Sequence, residues 1–397
     1  MPARRYENIE EEAKLATPPF RAEHIGSLLR PEKLLKARAA LEGDQYRTVS
    51  GSTMFAALKD VEDEAIRDAV KLQEAAGLSS ITDGEFRRRS WYQDFLLALG
   101  GTSITFVDAS KTISAAMPFQ DSGGVDKLPG HLVQVTGKLT RKGGIFTDQF
   151  KFLKSVTTRT PKATLPAPTM LHFWGGRPVI DAKAYPDLAE FWDDCVRIWL
   201  DEIKDLHALG CTYVQIDDVT WPLLCDPRSQ DALKKRGEDP KKIVETYADV
   251  LNRIAAGVPK GMTLGMHMCR GNNRGKWMGS GGYEYVSEVL FRNVNIDTYF
   301  MEYDSDRAGD FRPLRHVPVG KKVVLGLVSS KIPALESKES LKRRIGEAER
   351  HMPHDHLCLS PQCGFASNFM GNPVTIEDEK RKLGLVVEVA REAWGSA

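Results

Sequence analysis

The sequence has no apolar run near the roughly 20 residues that a membrane-spanning helix requires. Its first nineteen residues, MPARRYENIEEEAKLATPP, carry charges of both signs where a signal peptide needs an apolar core. A cytoplasmic protein is the expectation. Cysteine is scarce, with six in 397 residues (Cys195, Cys211, Cys225, Cys269, Cys358 and Cys363). In a reducing compartment so few thiols point to metal ligation or plain burial and away from a disulfide framework. Excess charge is absent too, because 55 Lys and Arg against 54 Asp and Glu leave a formal charge of +1. That balance argues against a generic nucleic-acid or anionic-membrane surface.

What is present is an ordinary globular composition, 42% hydrophobic and 27% charged, in a length that one α/β barrel with insertions can fill. Residues 1–19 read as a loosely held arm ending in Pro18-Pro19, and residues 20–397 as a single catalytic domain. Eight short apolar runs of strand character follow the arm: Phe20 to Gly26, Leu78 to Asp83, Ala163 to Leu171, Tyr213 to Asp217, Thr263 to Cys269, Thr298 to Tyr303, Lys322 to Ser329 and Leu357 to Cys363. Amphipathic stretches lie between them, clearest at Phe55 to Ala76, Pro186 to Leu209, Leu341 to His351 and Glu377 to Trp394. Alternating runs of this kind predict an α/β fold, a closed (β/α)8 TIM barrel more than an open sheet. The segment at about 100–160 breaks the rhythm after the second strand. Its alternating HLVQVTGKLT and GGIFTDQF, with paired glycines, predict a hairpin-rich insertion.

Most runs end in a polar or ligating residue: His24, Asp83 and Glu85, His172, Asp217, His267 and Cys269, Glu302, Ser329 and Ser330, Cys363. In a parallel barrel the strand C-termini share one rim, so these side chains converge however far apart they lie in sequence. His267 and Cys269, two residues apart on a strand, point to the same side, as two ligands of one metal must. With Cys363 and Glu302 on the same rim, two thiolates, one imidazole and one carboxylate suit Zn²⁺. Two thiolates and a carboxylate leave such a centre electron-rich. It is poor at polarising a carbonyl, but it can exchange the carboxylate for a substrate thiol and keep that thiol deprotonated, which points to thiol alkylation.

The motifs HIGS (His24 to Ser27), DGEFRR (Asp83 to Arg88), QIDD (Gln215 to Asp218), HMC (His267 to Cys269), the Glu302 segment and PQCG (Pro361 to Gly364) occur in order at predicted strand ends. In this the sequence resembles the catalytic C-terminal half of cobalamin-independent methionine synthase and its shorter stand-alone relatives, from about Phe20 to Trp394. The resemblance implies Zn²⁺ held by His267, Cys269, Glu302 and Cys363. It implies homocysteine bound by Ile25 and Ser27 and by the acids Glu85 and Asp217, with methyl transfer to a zinc-bound thiolate. Two carboxylates suit a substrate ammonium, while main-chain N–H groups and a hydroxyl suit its α-carboxylate. Trp174 occupies the position of an aromatic that stacks a pterin, and Asp218 is the candidate acid for the leaving nitrogen.

Two departures bear on the donor. The long N-terminal half of the full-length enzymes has no counterpart here, and GLVSSKIP stands where they carry a histidine, which Ser329 and Ser330 cannot replace as proton carrier. The expected partners are therefore homocysteine and a methyl donor that resembles methyltetrahydrofolate or differs from it. Competing readings are an alkyltransferase or demethylase that uses a coenzyme M-like thiol or a non-folate donor, a non-catalytic zinc or thiol-sensing protein, and a metal-free decarboxylase-like barrel. Other candidates have plainer explanations: Arg87 to Arg89 as an exposed basic turn, HMPHDH (His351 to His356) as a solvated loop, and Cys195, Cys211, Cys225 and Cys358 as buried thiols.

Overall fold

The computed structural model describes residues 17–42, 58–106, 112–119 and 131–397. Most of the expected arm, the start of the helix expected from Phe55 and the middle of the expected insertion lie outside these residues.

Six strands form one parallel sheet. In chain order they are β5 (Ala163–Pro166), β6 (Tyr213–Asp218), β7 (Thr263–Met268), β8 (Thr298–Glu302), β9 (Lys322–Val328) and β10 (Leu357–Pro361), each pairing with the next. Their near-continuous burial is what a parallel sheet covered on both faces demands, and it explains the unbroken apolar runs. Earlier in the chain, β1 (Ser80–Ile81) pairs in parallel with β4 (Thr160–Pro161), which leads directly into β5. The hairpin of β2 (Gly100–Phe106) and β3 (His131–Thr140) is antiparallel and belongs to the expected insertion.

The first expected run forms a single bridge, Ala22 to Leu359, beside β10. On its other side side chains span the seam to β1. Ser80 Oγ donates to Glu23 Oε2 at 2.7 Å, Thr82 Oγ1 donates to the Gly26 carbonyl at 2.6 Å, and one backbone bond links Leu28 N to Gly84 O at 3.1 Å. The expectation of eight laddered strands is met by six in one sheet, because Glu23 and His24 turn their polar groups inward at this seam. Glu23 and Lys162 form a fully buried ion pair at 3.2 Å inside the fold, next to the apolar cluster of Ile25, Tyr213, Phe300, Val324 and Cys358.

Helices pack outside the strands, and their starts are written in the sequence. Asp187, Asp226 and Asp239 accept from the backbone at the first turns of Leu188–Ala208, Pro227–Lys235 and Pro240–Gly257, the last two with Pro at the first helical position. Thr375 and Asp378 form a reciprocal capping box for Ile376–Trp394. Trp199 anchors its helix to the sheet by donating Nε1–H to the Pro166 carbonyl at 2.6 Å. A further expectation fails: GGIFTDQF leads into the helix Thr147–Val156 and forms no strand. Phe146, Gln149, Phe150 and Leu153 are the buried residues there, a helical spacing. Among the described residues no helix is long and apolar enough to cross a membrane.

Candidate metal centre and substrate recess

Strands β7, β8 and β10 end at the same rim, and their last residues meet. One ligand atom from each of His267, Cys269, Glu302 and Cys363 lies within 4.8 Å of the others, and all four residues are buried. The two sulfurs are 3.4 Å apart. Cys363 is held well below the usual thiol range by the hydrogen bond from Cys269, whose own thiol is pushed up as its counterpart. Neither ring nitrogen of His267 makes a well-formed hydrogen bond, and the ring's polar interaction is with the Cys363 sulfur. A buried imidazole without a well-formed hydrogen bond is costly in a protein interior. Two facing thiols, an imidazole and a carboxylate fit a Zn²⁺ ion.

Glu302 is the most constrained of the four. Its Oε1 accepts from the Arg270 backbone N–H and its Oε2 from Arg307 Nη2, both at 2.8 Å, and Lys331 Nζ stands 3.7 Å from Oε2. Burial opposes its ionisation, yet Lys331 and Arg307 outweigh burial and bring its pKa down to about 2. Nothing along the sequence marks Arg307 or Lys331 as neighbours of Glu302. Lys331 directly follows Ser329 and Ser330 in the loop after β9, a hint that only the fold makes readable.

A recess of about 320 Å³, including its open mouth, lies above the cluster. Its lining includes Ile25, Ser27, Glu85, Trp91, Asp217 and Asp218 beside three of the four ligand residues. Glu85 has a backbone φ of 60°, a left-handed conformation that costs a bulky residue and recurs at functional sites. Its Oε1 accepts from Thr164 Oγ1 at 2.8 Å and pairs with Arg88 at 3.3 Å, while its buried Oε2 has no partner. Burial raises its pKa against the pull of Arg88. Burial also raises Asp217, to about 7, with His267 opposing and Glu85 adding to the rise. Asp217 accepts from Gln215 Nε2 at 2.6 Å and caps no helix. Asp218, brought up to about 6 chiefly by burial, accepts from the Thr220 N–H at 2.7 Å and from Thr169 Oγ1 at 3.0 Å. The Ile25 carbonyl accepts from Gln215 at 2.7 Å, and a side chain at Gly364 would collide with the Ser27 hydroxyl.

Trp174 is not among the lining residues. It is buried against Phe173, and its carbonyl accepts from Arg236. The aromatic residue that lines the recess is Trp91, in the loop after β1. Ser330 ties the loop after β9 to that after β10 by donating Oγ–H to the Gly364 carbonyl at 3.0 Å, and Ser329 N–H donates to Glu336. The DGEFRR arginines differ from the exposed turn expected of them. Arg87 is buried against Glu62 and Asp63, and Arg88 donates to Thr164 at 2.9 Å. His354 contacts Glu349 and the Ala393 carbonyl. Cys195, Cys211, Cys225 and Cys358 are free and buried.

Residues 38–392 match the family model described as the catalytic domain of cobalamin-independent synthase. The chain belongs to the cobalamin-independent methionine synthase family, a family of methyltransferases. Among individual proteins, it is 37% identical over 95% of both chains to YxjH of Bacillus subtilis, itself uncharacterised. It is 21% identical to the 5-methyltetrahydropteroyltriglutamate–homocysteine methyltransferase of Mycobacterium leprae, covering 98% of this chain and 44% of that protein. A solved putative vitamin-B12-independent methionine synthase from Listeria monocytogenes superposes with a TM-score of 0.72 at 32% identity, over 95% of this chain and 99% of the other. A B12-independent methionine synthase from Shewanella sp. W3-18-1, solved with selenomethionine, shares the fold with a TM-score of 0.65 at 20% identity, over 94% and 97% of the two chains.

Proposed function

We propose that the protein is a zinc-dependent methyltransferase whose acceptor is the thiol of homocysteine. The observation that carries this reading is the meeting of His267, Cys269, Glu302 and Cys363 directly beneath a recess walled by Glu85 and Asp217. We further propose that residues 20–397 form one closed (β/α)8 barrel, a reading supported by the side-chain bonds across the seam at Glu23 and Ser80.

These four residues would hold Zn²⁺, which supplies Lewis acidity that keeps an approaching thiol deprotonated at neutral pH. The remaining work falls to the chain. Glu85 and Asp217 bind the amino-acid ammonium, while the Ile25–Ser27 segment receives the α-carboxylate through the Ser27 hydroxyl and main-chain N–H groups. The acceptor sulfur then attacks the donor methyl carbon in line. A sulfur–carbon bond forms as the bond from methyl to the leaving atom breaks, and we assign Asp218 the proton that a leaving nitrogen takes up. Trp91 supplies an aromatic wall for the donor. Holding both partners in one recess accounts for the larger part of the expected rate gain. The purified chain should bind one zinc ion and form methionine from homocysteine with 5-methyltetrahydrofolate or another member of a methyl-donor panel. A zinc-loaded chain that leaves homocysteine unmethylated with every donor would overturn the reading.

A further inference from the structure

Glu302 is surrounded more heavily than ligation alone requires. Each carboxylate oxygen has two acceptor sites. The Arg270 N–H takes one on Oε1 and Arg307 one on Oε2, which leaves room for a metal. Arg307 is itself divided, because the same Nη2 donates to Asp304 Oδ1 at 2.7 Å. Lys331 is different. Its Nζ is buried, has no hydrogen-bond partner, and stands 3.7 Å from Glu302 Oε2, close enough for attraction and too far for a hydrogen bond. Its backbone is fixed nearby, with Lys331 N–H donating to Ser329 Oγ at 3.3 Å. An ammonium with three unused donors in a buried site is unfavourable unless an anion comes to it in some state of the protein.

We propose that Lys331 is a positioning residue that receives the Glu302 carboxylate when an acceptor thiol takes its place among the metal ligands. The inference rests on the zinc reading above. A carboxylate released inside the protein with no cation to meet it would be a desolvated, unpaired charge, and that penalty would oppose thiol entry. A shift of about 1 Å brings Oε2 within ordinary hydrogen-bond length of Lys331 Nζ. Arg307, held by Asp304, remains the pivot about which the carboxylate turns. Lys331 thus makes Glu302 the replaceable ligand, because it is the Glu302 carboxylate that lies 3.7 Å from its ammonium and gains a full ion pair by moving.

The test compares the zinc-loaded full chain with its Lys331→Met and Lys331→Arg variants. Zinc-edge X-ray absorption is recorded with and without homocysteine, and homocysteine affinity is measured by calorimetry. Wild type and Lys331→Arg should exchange one oxygen scatterer for one sulfur. Lys331→Met should keep the oxygen, retain zinc at least as tightly against a competing chelator, and bind homocysteine at least tenfold more weakly. Unchanged exchange in Lys331→Met, with homocysteine affinity within twofold of wild type, overturns the proposal and leaves the zinc reading standing. Should Lys331→Met fail to fold, a wild-type crystal structure with homocysteine decides. Glu302 Oε2 within hydrogen-bond distance of Lys331 Nζ supports the proposal, and an unmoved Glu302 overturns it. A wild-type chain that takes up no zinc removes both readings together.

Discussion

Trp91 and Ser367 meet across the mouth of the recess, where the Trp91 N–H donates to the Ser367 carbonyl at 3.1 Å. The Ser90–Asn368 bridge beside it makes this a short antiparallel clasp between the loops after β1 and β10. It fixes the backbone that carries the indole, and both residues line the recess. Replacing Trp91 by Ala should raise the KM for the methyl donor about 3- to 10-fold, the scale of an aromatic contact, with zinc content and melting temperature little changed. Trp174→Ala should behave in the opposite way, losing about 3–5 kcal/mol of stability because a buried side chain is removed. Donor kinetics and thermal melts of the two variants separate these roles. A donor effect confined to Trp174→Ala would return the platform to that residue.

The ligand cluster predicts an all-or-none metal phenotype. Cys363→Ser removes one of two sulfurs that lie 3.4 Å apart and leaves a hard oxygen facing a soft site. Zinc content by elemental analysis should fall from about one ion per chain to near zero, and methyl transfer should vanish with it. Full turnover by the metal-free variant would exclude the proposed chemistry.

Under the proposed function Asp217 binds the substrate ammonium. Asp217→Asn keeps the shape and the contact with Gln215 but removes the charge, a change that typically costs about 1.5–3 kcal/mol for a charged hydrogen bond. The KM for homocysteine should rise roughly 10- to 100-fold. The donor KM should stay within about twofold, because the donor does not use this charge. Equal rises in both would indicate a general disturbance of the recess.

Glu379 gives a pH dependence of stability that is independent of the metal. It lies buried on the C-terminal helix, accepts the Leu29 N–H at 2.8 Å, and has its pKa raised by burial from 4.5 to about 8. Between these values the folded chain holds a proton that the unfolded chain has released. Stability therefore falls as pH rises through this window, with no loss below it and a constant loss above it. Glu379→Gln keeps an acceptor for Leu29 and removes the effect. The variant should match wild type near pH 4.5 and exceed it by on the order of 3–5 kcal/mol at pH 9, an upper figure for a group that relaxes on ionising. Calorimetric melts at both pH values read this directly. A wild type that does not lose stability relative to the variant would show that the carboxyl ionises freely in the fold.

The four clustered residues were legible because β7, β8 and β10 are continuous apolar stretches that stop at or just before them, and a buried parallel strand announces its end in that way. The seam at Phe20 to Gly26 was harder. Its apolar look hides Glu23 and His24, whose polar groups replace a ladder that periodicity alone predicts. In GGIFTDQF short-range alternation concealed the longer spacing of Phe146, Phe150 and Leu153, which marks a helix. The Asp239-Pro240 pair is a helix-start signal in the sequence itself, an N-cap followed by proline at the first helical position. Trp91 and Trp174 both follow strands, and nothing along the chain states which of them faces the cavity. Lys331 was unreadable for the same reason, since its meaning depends on a carboxylate 29 residues earlier that only the fold brings to 3.7 Å.

The four clustered residues run from His267 to Cys363, whereas Glu85, in the turn after β1, and Asp217, in β6, come earlier in the chain. A ribosome therefore delivers Glu85 and Asp217 first and completes the His267, Cys269, Glu302 and Cys363 cluster only when β10 docks. Under the proposed zinc reading, metal uptake is expected to follow the docking of β10, the last strand of the sheet.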